Sequence, residues 1–160
     1  MLVKEMTLEE CYRTLKSTNL GRLACAHADQ PYVVPIFFAY DGTHLYGSNI
    51  YCFSTLGLKI EWMRANPLVC LEIDDVKNAC DWMSVVVLGH YQELLDTAEY
   101  EVTRRHAYEL LSERNLWWEP AAVPGAHDER HQSFSPVYYR ILIHHLTGHR
   151  GLPDQEKSQR

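Results

Sequence analysis

An α+β fold in which β-structure dominates is predicted for this chain, an antiparallel barrel-like core with helices around it. Three observations carry that expectation. Strand-type runs outnumber helical ones. They follow one another through a hairpin signal or short connections rather than long crossovers. No internal repeat, low-complexity stretch or domain boundary interrupts the 160 residues, a length suited to one domain with a sizeable core.

The first helix is announced by Thr7-Leu-Glu-Glu10, in which Thr7 caps the backbone and Glu10 reaches back to it. Leu8, Cys11, Tyr12 and Leu15 form its apolar stripe, and Asn19 and Gly21 end it. Arg22 to Ala26 reads as a short strand. Tyr32 to Tyr40 is rich in valine, isoleucine and aromatics, and Asp41-Gly42 is a favoured tight-turn dipeptide, so a partner strand is expected to start at His44 and include Tyr46. Pro35 cannot donate to a ladder and marks an edge or an interruption. Leu56 to Asn66 places Leu56, Ile60 and Met63 on one helical face and is stopped by Pro67. Leu68 to Ile73 is a strand. Trp82 to Leu95 is a longer one, with Val85 and Val87 alternating against Ser84 and Val86. Asp96-Thr-Ala-Glu99 predicts a second capping box and a helix to about Glu113. Trp117 to Gly125 is a loop, Ser135 to Leu146 a last strand, and the domain spans 1–150, with Gly151 to Arg160 a polar tail.

Composition narrows the function. Fifteen basic against 21 acidic side chains leave a net charge of −6, which argues against a nucleic-acid partner because phosphates demand a basic face. No apolar run is long enough to span a bilayer, and the first residues lack the layout of a signal peptide, so no membrane and a cytoplasmic location are expected. Cys11, Cys25, Cys52, Cys70 and Cys80 are odd in number and scattered, which is neither a zinc nor a disulfide pattern. They read as small apolar residues.

The segment Phe53-Ser-Thr-Leu-Gly-Leu-Lys59 is the strongest local chemical signal. Two hydroxyls, a glycine and a lysine at a helix start make an anion site, fit for a phosphate monoester. The same residues also admit a plainer reading, in which Thr55 caps the helix, Gly57 allows close packing and Lys59 is solvated. Arg64 suits a surface or interface ion pair, and Asn66 before Pro67 a helix terminator. Trp82 and Ser84 share one face of a strand and suit either a planar ligand or the core. His127 and His131 have i, i+4 spacing but lie in a loop without a third ligand, and His144 and His145 are expected on opposite faces of a strand. No metal site is expected. One histidine would suffice to ligate a haem. No nucleophile elbow or cysteine–histidine pair is present.

The order of motifs resembles that of the pyridoxamine 5′-phosphate oxidase-like FMN-binding split barrels, in the branch that includes 5-nitroimidazole reductases. The residues that carry the resemblance are Gly21-Arg-Leu-Ala24, Pro31-Tyr-Val-Val-Pro35 with the aromatic run to Gly42, Leu45-Tyr46, Phe53 through Pro67, Trp82 through Gly89, and Tyr139-Arg-Ile141. It implies a six-stranded antiparallel split barrel with flanking helices, a homodimer, and FMN at each subunit interface. Ser54, Thr55 and Lys59 would hold the phosphate, with Phe53 in the same motif. Pro35, Ile36, Phe37 and Phe38 would lie along the isoalloxazine ring, and Trp82 and Ser84 would close the site from the partner subunit. The implied activity is hydride or electron transfer between a reduced nicotinamide or other donor and a small-molecule substrate. A haem-binding split barrel and a non-catalytic flavin-binding dimer are the alternatives. Three departures stand out. Gly47 to Cys52 makes a longer stretch before Phe53 than the family leads one to expect, as a bulge or longer hairpin would. Cys52 and Phe53 stand where nitroimidazole reductases carry a histidine. The substrate motif Arg-x-His of pyridoxamine phosphate oxidases is replaced by His144-His145-Leu-Thr-Gly148.

Overall fold

The computed structural model describes residues 1–42, 48–113 and 136–153. Its elements run β1 (Leu2–Glu5), α1 (Leu8–Ser17), β2 (Leu20–His27), β3 (Gln30–Asp41), β4 (Asn49–Ser54), α2 (Leu58–Ala65), β5 (Leu68–Asn78), β6 (Asp81–Glu93), α3 (Glu101–Ser112) and β7 (Val137–Leu152). Six strands close a ring in the order β7, β4, β3, β2, β5, β6, with β6 pairing back onto β7. Every pairing is antiparallel, and β1 adds to β7 outside the ring. The predicted six-stranded barrel with flanking helices is therefore present. The His44–Tyr46 strand start, the Trp117–Gly125 loop, the His127/His131 pair and residues 154–160 lie outside the described residues.

β7 is the spine of the ring. One edge pairs with β6 throughout, while the other serves β4 over Val137–Leu142 and β1 over His149–Leu152. It continues well past Leu146, taking in Gly151 and Leu152. A bulge between Leu88 and Gly89 of β6 leaves β7 with an extra residue at His144, so alternation fails there and both His144 and His145 are exposed. They do not face opposite sides as a regular strand would require. Gly89 belongs to this crossing, since a Cβ on it would lie 2.5 Å from Ile141 Cγ2 and 2.7 Å from Leu142 O.

The barrel interior is filled by alternating positions such as Leu23, Phe38, Leu71, Ile73, Val87 and Ile141, all fully buried. α1 forms as predicted: Glu10 N–H donates to Thr7 Oγ1 at 3.3 Å and Thr7 N–H to Glu10 Oε2 at 2.8 Å. It buries Cys11 and Leu15 against the core. Burial raises the thiol pKa of Cys11, Cys25 and Cys70, and pushes Cys52 up to about 12. These side chains stay protonated and act as apolar filler.

One turn has no counterpart in the sequence reading, and two differ from expectation. β2 and β3 join through a two-residue turn in which Ala28 (φ 48°) and Asp29 (φ 63°) are both left-handed, a type I′ geometry without its usual glycine. Asp41-Gly42 is not a tight turn. Asp41 is still in β3, buried and paired with Asn49, and accepts a 2.7 Å contact from His106 Nε2 on α3. The chain therefore reverses beyond Gly42, and the β3–β4 register is regular from Phe38–Cys52 to Asp41–Asn49 with no bulge. Asp96-Thr-Ala-Glu99 makes turns instead of a capping box, and α3 begins behind Tyr100. Arg104 Nη1 donates to Leu94 O at 2.7 Å and sits 3.8 Å from Asp96, which draws the segment back before the helix can start.

Candidate functional site

β3 changes partners along its length, and that change opens the barrel. It pairs with β2 through Phe37 and with β4 only from Phe38 onward. Over Gln30–Phe37 its other edge has no strand partner among the described residues. Phe38 N–H donates to Asn19 O at 2.9 Å. Alternation from that bonded pair makes Arg22–Pro35 a non-bonded pair, so the Pro35 nitrogen points to the open side and no ladder bond is lost. Pro35 thus marks the interruption read from sequence. Pro35 is exposed and Phe37 half-buried, whereas Ile36 and Phe38 turn into the core, so only their backbone can line the opening.

Across the opening, β4 leaves β3 after Cys52, passes Ser54, and enters α2. The helix starts at Leu58, two residues later than expected. Gly57 is its N-cap, with an extended backbone and no side-chain bond, and its carbonyl accepts from Ile60 N–H at 3.0 Å and Glu61 N–H at 3.1 Å. Thr55 does not cap it. Ser54 Oγ instead donates to Thr55 O at 3.0 Å, and the Thr55 side chain is exposed. The first N–H groups of α2 are therefore left without a described side-chain cap.

Lys59 lies in this first turn. It is half-buried, and burial holds its ammonium below the usual lysine range while the neighbouring Cys25 thiol acts in the opposite direction. No carboxylate among the described residues lies within ion-pair distance of it. A partly desolvated cation without a counter-charge is costly to keep unless an anion visits it. Ile60 and Met63 on the next face bury into the barrel and fix the helix. Arg64 forks onto Glu93 of β6 with two 2.7 Å contacts, and Tyr91 OH donates to Glu93 Oε2 at 2.9 Å. Asn66 closes the helix and donates to Ala26 O at 2.9 Å. Both residues act as their positions predicted.

The remaining candidates lie elsewhere in the chain. Phe53 packs edge-on to Tyr138, centroids 5.3 Å apart, under α3 and away from the core. Ser84 Oγ donates to Glu72 Oε1 at 3.2 Å, and Trp82 lies against Gly151, whose added Cβ would come 2.3 Å from the indole nitrogen. Ser84 pairs with Asp74, six residues or about 20 Å along β5 from the Leu68 end that follows α2. Two groupings escaped sequence reasoning. Arg22 contacts both Glu72 (3.4 Å) and Asp74 on the outer sheet face. Trp62 of α2 meets Tyr32 and His27, with centroids 5.6 and 5.9 Å away. Neither leaves a local signature, because each joins separate strands or a helix and two strands. No group of three or more metal-ligating side chains occurs among the described residues, and no helix there is long and apolar enough to cross a membrane.

The arrangement defines a class, a split barrel whose opening is flanked by a half-buried cation without a counter-charge among the described residues. Comparison with known proteins makes the assignment specific. The family model for pyridoxamine 5′-phosphate oxidase matches residues 7–150, and the chain belongs to that family. It is 40% identical over 148 residues to an uncharacterized protein, RA0666, of Rhizobium meliloti (strain 1021), covering 92% of this chain and 95% of that one. A FAD-binding protein from Mesorhizobium loti is 38% identical and superposes with a TM-score of 0.75 over 96% of this chain and 99% of its own. The FAD-binding protein from Mycobacterium smegmatis, 21% identical, shares the fold with a TM-score of 0.65 over 94% of this chain and 100% of its own.

Proposed function

We propose that this chain is a flavin-binding oxidoreductase that holds the flavin by its 5′-phosphate, FMN being the smallest ligand that meets the site's demands. The observation that carries the reading is Lys59, half-buried, unpaired with any described carboxylate, and set in the uncapped first turn of α2. A phosphate would neutralise it and accept from the free N–H groups of that turn, with Ser54 and Thr55 beside them. The open edge of β3 at Pro35 to Phe38 would lie along the flavin ring. A bound flavin supplies hydride acceptance and donation, here between a reduced nicotinamide or other donor and a small-molecule acceptor. The residues of this chain bind and orient; none is assigned as general acid or base. The name of the Mesorhizobium loti relative supports a flavin ligand.

The working form is proposed to be a cytoplasmic homodimer. Trp82 and Ser84 stand far along the sheet from Lys59, so a partner subunit is the natural source for that side of the site. Exposed Leu20, Val33, Val76 and Leu88 on the strands offer apolar surface to bury. The absorption spectrum of the purified protein tests the ligand: two flavin bands are expected, bleached by NADH or NADPH. A single intense Soret band, or failure to take up added flavin, refutes the reading. Flavin that no donor reduces leaves a binding protein without the proposed enzyme. Light scattering should return twice the 18.6 kDa chain mass.

A further inference from the structure

We infer that His90 and His144 form a two-imidazole site for a divalent transition-metal cation, with Zn2+ the best geometric match, on the outer face where β6 pairs back onto β7. The site shares no residue with the Lys59 region and is independent of the flavin reading. Val87, Gly89 and Tyr91 of β6 are buried, so the intervening His90 projects from the outer face. On β7, Ile143 packs against the core and Leu146 is buried. The bulge opposite Leu88 and Gly89 turns both residues between them, His144 and His145, outward. His90 pairs with Leu142, and the extra residue brings the His144 ring towards it, with ring centres 5.8 Å apart and inclined by 36°. Bulges re-aim side chains in this way, and Gly89 fixes this one, because a Cβ there would collide with Ile141 and the Leu142 carbonyl oxygen.

Among the described residues neither ring forms a hydrogen bond or ion pair, so each neutral imidazole offers a nitrogen lone pair. Zinc lies about 2.0–2.1 Å from an imidazole nitrogen and hence about 3.2 Å from the ring centre; two such arms at a tetrahedral angle hold the centres about 5.2 Å apart. The 5.8 Å seen here exceeds that by about 0.6 Å, which a small side-chain rotation closes. No third metal-ligating side chain joins the pair among the described residues, so water completes the shell. Two nitrogen donors select zinc-like cations against Mg2+, which takes oxygen ligands. A cation held here ties β6 to β7 at the bulge that interrupts their ladder.

The full chain, freed of metal with a chelator, is titrated with Zn2+ by calorimetry and melted with and without the ion. A site that saturates below about 1 mM is expected, and Zn2+ at about ten times its dissociation constant should raise Tm by about 3 °C. His90→Ala and His144→Ala change outward-facing residues, and each should weaken the site about tenfold or more, because one of only two protein donors is gone. His145→Ala and the double change His127→Ala/His131→Ala should stay within about twofold of wild type, and Mg2+ should neither bind nor stabilise. Absence of saturable Zn2+ binding overturns the site, as does binding that survives both single changes or is lost with His127 and His131 instead. Flavin uptake should be equal in wild type, His90→Ala and His144→Ala, so the flavin reading stands or falls separately.

Discussion

Lys59→Met separates function from stability, because its two effects have opposite signs. If Lys59 pairs with a phosphate, removing it deletes a charge-assisted contact worth about 1.5–3 kcal/mol, and flavin affinity falls roughly 10- to 150-fold. The apoprotein should respond the other way. Burial lowers the folded-state pKa of Lys59, so the unfolded chain binds more protons in the window between the folded and unfolded values. Stability of the wild type then rises with pH through that window and is penalised below it. Methionine keeps the aliphatic stem without the charge, so apo Lys59→Met should be more stable than wild type at pH 7, the difference closing as pH rises through the lysine range. Flavin affinity of the wild type falls over that same rise as the ammonium is lost. Fluorescence titration reads the affinity, and urea melts of the flavin-free proteins read the stability. Unchanged affinity refutes the anion site; reduced apo stability at pH 7 shows that the cation has a compensating partner.

Three further outcomes follow from the fold. Converting Ala28-Asp29 to Asn-Gly suits the left-handed turn and should stabilise by about 1 kcal/mol, or about 3 °C in thermal melts; an unchanged melt shows the turn is not strained. Gly89→Ala puts a methyl group 2.5 Å from Ile141 and 2.7 Å from the Leu142 carbonyl oxygen, and should cost about 3 kcal/mol of unfolding free energy in urea melts; an unchanged melt refutes the tight crossing. Arg64 holds the Glu93 carboxyl below the usual carboxylate range, so that pairing contributes above the unfolded glutamate value and is lost as pH falls through the folded one. Glu93→Gln should cost about 1 kcal/mol at pH 7, modest because Arg64 is half exposed, with the gap to wild type closing in acid; a pH-independent gap refutes the pairing.

Much of the architecture is legible along the chain. The capping box at Thr7 and Glu10 and the stop at Asn66-Pro67 hold because both partners lie within one turn of each other. The strands are found by composition, but their ends are not. β1 was invisible, since Leu2–Glu5 is exposed throughout and is a strand only because β7 offers it an edge. Asp41-Gly42 and Asp96-Glu99 carried turn and cap signals that local chemistry supports. They failed because His106 claims Asp41 and Arg104 claims Leu94, partners 65 and 10 residues away.

Sequence alone determined the barrel class and the family, and singled out Lys59 as a candidate anion ligand, because alternation, helix starts and motif order are written at short range. Tertiary structure decided what Lys59 is: a half-buried cation without a counter-charge among the described residues, a property set by which side chains the other elements bring to it. It also decided that Ile36 and Phe38 face the core while Pro35 and Phe37 face outward. A one-residue step along a strand reverses the side chain, and only the pairing of β3 first with β2 and then with β4 says which face meets the opening. The Trp62, His27 and Tyr32 cluster is the extreme case, since three rings from a helix and two strands become one surface only when the barrel closes.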